Sequence, residues 1–174
     1  MGILDSLKWR QGNRKGKNVA LKGKYNIRAI LAGGPLQKLE IDEIKDNQMI
    51  AAAALDTYSM IVQRCKSVVL YDCLNDTLEV PEIIIRDCER VELTSVVKCT
   101  IMQVHNSVLV ANHETKKLHI EGDVILKHST IEGYQSIIVS GRVYADGVSM
   151  EGLKGVNLTC AGLMALAEDA AVAS

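Results

Sequence analysis

Just after Cys65 the chain becomes a series of short β-branched runs. Ser67–Tyr71, Glu82–Arg86, Arg90–Leu93, Val96–Val104, Ser107–Ala111, Lys117–Glu121, Val124–Lys127, Ser136–Ser140 and Arg142–Ala145 are rich in Val, Ile and Leu. Asn, Asp, Gly and Ser punctuate them. Runs this short and this closely spaced predict a β-rich domain and leave no room for the helices of alternating β-α units. The core must be aliphatic, because the 174 residues hold no Phe and one Trp. That composition also argues against a platform of stacked aromatic rings for single-stranded nucleic acid.

A finer period runs through the last third. Ile125, Ile131, Ile137 and Val143 recur every six residues, and Gly122, Gly133, Gly141, Gly147 and Gly152 punctuate this stretch. Stacked coils of a β-solenoid turn their corners at small residues and send side chains inward at such intervals. A meander of hairpins of similar length is the other architecture this pattern allows.

Upstream of the strands the pattern differs. Asp46 can serve as an N-cap, and Ala51–Ala54 has high intrinsic helix propensity. Ile50, Ala54, Tyr58, Ile61 and Cys65 follow a three-to-four spacing, and Gly and Pro are absent, so a helix is expected over 46–64. Tyr25, Ile27 and Ala29 alternate with polar residues and suggest a first strand, ended by Gly33-Gly34-Pro35. Leu39, Ile41 and Ile44 suggest a second short element. The expected fold class is therefore α+β, mainly β. A flexible basic arm (1–24) precedes a single globular β-rich domain (25–160) carrying helix 46–64, with a β-solenoid as one option, and a C-terminal tail follows (161–174).

Charge is distributed unevenly. Residues 1–28 carry eight basic side chains against the single acid Asp5, although the whole chain has a net charge of −1. A basic segment ahead of an acidic body suits a polyanionic partner: an anionic membrane surface, a nucleocapsid or nucleic acid. It also suits docking on a neighbouring copy, and a merely solvated tail would show the same charge run. Within it, Lys8, Trp9, Arg10, Arg14, Lys15, Lys17, Lys22 and Lys24 are the candidate membrane- or polyanion-binding residues. Met1-Gly2-Ile3-Leu4-Asp5-Ser6 fits the pattern for N-myristoylation at Gly2, and a chance Met-Gly start would read the same way. One acyl chain gives only marginal membrane affinity, on the order of 10⁴ M⁻¹, so a second signal is required. The basic residues would supply it, at roughly 1 kcal/mol each near an anionic surface.

Signatures of catalysis are sparse. Gly33-Gly34-Pro35-Leu36-Gln37-Lys38 is not a phosphate-binding loop, because Pro35 lacks an amide that such a cradle uses and no Gly-Lys pair follows. His105, His113, His119 and His128 show no metal-ligand spacing. Cys65, Cys73, Cys88, Cys99 and Cys160 form no CxxC pair and read as reduced core thiols. No catalytic residue, metal or cofactor is expected, and the chain reads as non-enzymatic.

Two partial resemblances bear on function. The order of a Lys-rich arm (Lys8–Lys24), a strand (Tyr25–Ala32), a Pro-containing turn (Gly33–Lys38) and an Ala-rich helix (Asp46–Arg64) resembles rhabdovirus matrix proteins over about half the chain. Leu78-Glu79-Val80-Pro81-Glu82 is loosely similar too. That resemblance implies a peripheral membrane protein of the virion that self-associates and condenses nucleocapsids. Ile120-Glu121-Gly122-Asp123-Val124, Thr130-Ile131-Glu132-Gly133 and the segment Ile138–Val148 look like bactofilin rungs over about 40 residues. That family implies a bacterial cytoskeletal scaffold, polymerising without nucleotide and associated with membrane. The reading adopted from sequence is a non-catalytic, self-associating structural protein of viral matrix type, cytoplasmic and peripheral to a membrane. Its alternatives are the bactofilin-like scaffold and a nucleic-acid-binding viral accessory or movement protein.

Overall fold

A computed structural model describes residues 17–22, 36–45, 47–51, 57–71, 77–112, 114, 116–148 and 157–165. The described residues contain fourteen strands and no helix. In chain order these are β1 (Lys17–Lys22), β2 (Leu36–Asp42), β3 (Asn47–Ala51), β4 (Thr57–Gln63), β5 (Ser67–Tyr71), β6 (Thr77–Glu79) and β7 (Glu82–Arg86). There follow β8 (Val91–Leu93), β9 (Val96–His105), β10 (Val108–Val110), β11 (Lys117–Lys127), β12 (Thr130–Glu132), β13 (Ser136–Asp146) and β14 (Asn157–Ala165).

Every strand pairing is parallel, and each partner comes from the preceding or following coil. One sheet runs β1-β2-β4-β7-β9-β11-β13-β14, with β6 also paired to β9, and a second runs β12-β10-β8-β5-β3. The described residues form a stack of coils, a β-solenoid. Ile41, Val62, Ile85, Val104, Leu126 and Ala145 are aligned in register from β2 to β13, with successive members 19 to 23 residues apart.

Alternation fixes which side chains enter the stack, because successive residues of a strand point to opposite faces. Leu39, Met60, Ile83, Met102, Val124 and Val143 form a second aligned, buried column beside the first. On the other sheet Val68, Val91, Leu109 and Ile131 do the same. Each such aliphatic side chain contributes about 1.5–3 kcal/mol by leaving water, which lets the core do without Phe.

The long strands β9, β11 and β13 each bend once. Their register shifts occur between Glu121 and Asp123 and between Val139 and Arg142. The bend divides them into two flat faces; with the β12-β10-β8-β5-β3 sheet these make three sides. Gly122 is required at the bend: its φ is 146°, and a Cβ there would overlap the Cys99 carbonyl oxygen.

The corner between the β2–β13 face and the second sheet is built the same way in each coil. Glu43, Arg64, Asp87, Asn106, His128 and Gly147 follow the last strand residue, and all have positive φ. The amides of the first five donate to carbonyls of the next coil: Gln63, Arg86, His105, Lys127 and Asp146, at 2.8–3.2 Å. Left-handed residues of this kind turn the chain from one side of the coil to the next at a modest local cost of roughly 1–2 kcal/mol for a non-Gly side chain, offset here by the cross-coil bonds.

The helix expected over 46–64 is not formed. Asn47–Ala51 is β3 and Thr57–Gln63 is β4, while 52–56 lie outside the described residues. Tyr58, expected on a buried stripe, is 40% exposed, whereas Met60 and Val62 are fully buried. The operative period is two. Ala's helix propensity is worth tenths of a kcal/mol per residue over most others, which is less than a strand gains by joining a sheet and burying Met60 and Val62. The α+β class accordingly gives way to an all-β solenoid over the described residues.

Other expectations are adjusted in detail. Lys17–Lys22, read as part of the basic arm, is β1. Residues 161–165, read as tail, belong to β14. The expected Tyr25–Ala32 strand lies outside the described residues. Lys117–Glu121 with Val124–Lys127, and Ser136–Ser140 with Arg142–Ala145, are each one bent strand. Of the six-residue series, Ile131, Ile137 and Val143 are buried but Ile125 points outward, between inward Val124 and Leu126.

Candidate functional surface

The proposed site residues sit at the N-terminal end. Gly2, Lys8, Trp9, Arg10, Arg14, Lys15 and Lys24 lie outside the described residues. Lys17 and Lys22 are the two ends of β1, in register with Leu36 and Asp42 of β2. No helix of the described residues is long and apolar enough to cross a membrane.

The titratable groups of the body are dispersed along the stack. Among the described residues no group of three His, Cys, Asp or Glu side chains is placed to hold a metal ion. His119 Nε2 is 3.2 Å from Ser140 Oγ, and His105 Nε2 is 3.4 Å from Gln103 Oε1. Partial burial and the neighbouring Lys127 and Arg86 hold the His105 imidazole below its usual pKa. His113 and Cys73 lie outside the described residues.

The cysteines of the body are packing groups. Cys65 and Cys88 are buried on adjacent coils at the corner, each thiol facing carbonyl oxygens. The adjacent Cys65 thiol and burial both push the Cys88 thiol up. Burial, with Asp123 nearby, pushes the Cys99 thiol up to about 11, the opposite of what a nucleophile needs. Cys99 lines a shallow groove of about 520 Å³ with Thr100, Glu121, Asp123 and Ser140. Asp123 Oδ1 there accepts from the Arg142 amide at 2.9 Å and so secures the bend.

What the body does present is a broad flat face formed by β2, β4, β7, β9, β11 and β13. Its outward side chains fall into three parallel rows. The first row is Lys38, Ser59, Glu82, Ile101 and Asp123, continued by Arg142 just before Val143. The middle row is Glu40, Ile61, Ile84, Gln103, Ile125 and Tyr144, and the third is Asp42, Gln63, Arg86, His105, Lys127 and Asp146, of which Asp42 and Gln63 are buried under their neighbours. Bonds along the face tie neighbouring rungs together: Ser59 Oγ donates to Glu82 at 2.7 Å, Gln63 Nε2 to Glu40 at 2.8 Å, and Arg86 Nε to Gln63 at 2.7 Å. Arg64 Nε at the corner donates to Asp42 at 2.9 Å. Sequence reasoning missed this face because its rows join residues about twenty positions apart. The signal that would have found it is the column register of the coils.

No family model, curated protein or solved structure matches this chain.

Proposed function

We propose that this protein is a non-catalytic, self-associating scaffold that extends its coil stack from copy to copy and is held at an anionic membrane by its basic N-terminal segment. The observation that supports it is the end of the stack. β14 pairs with β13 along one edge, and no other described strand pairs with its far edge. A parallel strand edge carries a row of amides and carbonyls suited to another strand, and a second copy offers strands of matching spacing. The segments that look like bactofilin rungs, Ile120–Val124, Thr130–Gly133 and Ile138–Val148, lie within or beside β11, β12 and β13, which favours the scaffold over the matrix-type reading. The matrix-type plan includes the helix over 46–64, which the fold does not contain.

The basic segment keeps its role in this reading. Acylation at Gly2 and the cations Lys8, Arg10, Arg14, Lys15, Lys17, Lys22 and Lys24 are the two signals for peripheral attachment. Trp9 would sit at the headgroup boundary. The same cations on phosphates, without lipid, give the nucleic-acid or nucleocapsid reading.

Sedimentation velocity over a rising concentration series tests the self-association. Growth in mass with concentration is expected, and a strictly monomeric profile throughout contradicts it. Flotation with anionic liposomes after eukaryotic expression tests the attachment. Loss of flotation in Gly2→Ala, and in a variant reversing Arg14, Lys15 and Lys17, is expected; wild-type flotation in both excludes it.

A further inference from the structure

The flat face formed by β2, β4, β7, β9, β11 and β13 carries its charges in a definite order. On each rung the first and third rows carry opposite charges or none. Lys38 is matched with Asp42, Glu82 with Arg86, Asp123 with Lys127 and Arg142 with Asp146; Ser59 and Gln63 are uncharged, and Ile101 accompanies His105. Down the first row the charges run plus, minus, minus, plus (Lys38, Glu82, Asp123, Arg142), so the pattern is not a simple stripe. Members of a pair are four residues apart on one strand, about 13 Å, which is too far for them to satisfy one another. On the first rung Asp42 is buried and held by Arg64, and Lys38 pairs with Glu40, so the complementarity rests on the other three pairs.

We propose that this face pairs with the same face of a second copy about a two-fold axis that runs along the stack, over the middle row. That rotation brings the first row of one copy against the third row of the other at the same rung. Glu82 then meets the partner copy's arginine at position 86, Asp123 meets its lysine at 127, and Arg142 its aspartate at 146. The middle row lies on the axis, where Ile61, Ile84, Ile125 and Tyr144 each meet their own counterpart and Gln103 meets Gln103. All are half-buried in the single chain, so pairing completes their burial. Glu40 meets Glu40 at one end, where each already accepts from Gln63 and pairs with Lys38 at 3.3 Å.

The other two-fold face-to-face arrangement is disfavoured by the same residues. An axis along the strands reverses the rung order and sets row against like row. Lys38 would face Arg142, and Asp146 would face the partner copy's first rung at Asp42. Like charges brought together in this way select against that orientation. The surviving arrangement has both stacks running in one direction, so it is compatible with end-to-end growth of each.

The face measures about 29 by 16 Å, from six rungs at ~4.8 Å and five residues at ~3.3 Å. Two copies would therefore bury on the order of 900 Å², at the low end for specific association. The pairing is accordingly weak in isolation, sensitive to salt, and reinforced when each copy is also held end to end. The inference rests on the self-association reading and specifies its lateral contact.

Sedimentation velocity of full-length Glu82→Lys, of Arg86→Glu, and of their equimolar mixture tests it, with circular dichroism to establish that both are folded. Each single variant places like charges at both symmetry-related contacts, so lateral association should weaken by about tenfold or more. In the mixture, lysine at 82 faces glutamate at 86 and Glu82 faces Arg86, so association should return. Recovery in the mixture cannot come from a change within either chain. Wild-type association by both single variants, or no recovery on mixing, overturns the pairing while leaving self-association intact. A wild type that stays monomeric throughout overturns the self-association reading, and the pairing with it.

Discussion

Ser107 and Ser129 occupy the same corner position on successive coils, and the Ser107 amide donates to the Ser129 hydroxyl oxygen at 3.4 Å. That hydroxyl in turn faces the carbonyls of Lys127 (2.8 Å) and Val104 (3.1 Å). One coil earlier the Cys88 amide donates to Ser107 Oγ at 3.0 Å, and Cys65 precedes it in the column. A small polar side chain is thus repeated down the inside of the corner, where it meets backbone groups the turn leaves behind.

Replacing Ser129 with Val should therefore destabilise the fold by about 1–3 kcal/mol, the cost of leaving buried polar groups unmade. Ser129→Cys should cost less, because Cys65 and Cys88 already occupy the equivalent place. Urea unfolding of the three proteins checks the order; a neutral Ser129→Val would remove the corner ladder as a source of stability.

The bend glycine gives a sharper contrast. Gly122→Ala must displace the Cys99 carbonyl and strain a φ of 146°, so a loss of several kcal/mol is expected, within the range for disrupted special backbone positions. Nothing lies within 4 Å of a Cβ added at Gly162. Gly162→Ala should lie within about 0.5 kcal/mol of wild type. Thermal unfolding of both variants measures the difference, and equal losses would contradict the geometry at the bend.

Much of the fold was legible because strand periodicity is local. Ser67–Tyr71 and Glu82–Arg86 are strands with the ends the sequence suggested, and most of the later runs differ only at their margins. The helix over 46–64 failed for a non-local reason. Ala51–Ala54 favours a helix by itself, but β3 is held to β5 and β4 to β2 and β7, pairings that span about twenty residues. The outward face was illegible for the same reason. Glu82 and Arg86 look like an ordinary i, i+4 pair of charges until the register sets Asp123 and Lys127 beside them two rungs on.

His105 supplies a pH dependence with a defined sign. Its folded-state pKa lies below the unfolded value, so the unfolded chain binds the extra proton more readily. Stability should be unaffected well above pH ~6.5 and fall as pH drops through the unfolded and then the folded pKa. His105→Gln should flatten that part of the profile. Stability that rises on acidification through this window would contradict the burial and the cationic neighbours Lys127 and Arg86 as its cause.

The buried thiols should report the integrity of the stack. Cys88 is 2% exposed and its thiol is pushed up, so alkylation at neutral pH should wait for global unfolding. Mass-spectrometric mapping after brief alkylation in native buffer and in urea checks it. Rapid native labelling of Cys88 would mean that the corner opens locally.

Coils that continue from one copy to the next should be visible by electron microscopy of concentrated full-length protein. Rods are expected whose power spectra carry a repeat of about 4.8 Å along the rod axis, because the strands lie across that axis. Rods with that spacing perpendicular to their length, or monomeric particles at every concentration, would contradict that continuation.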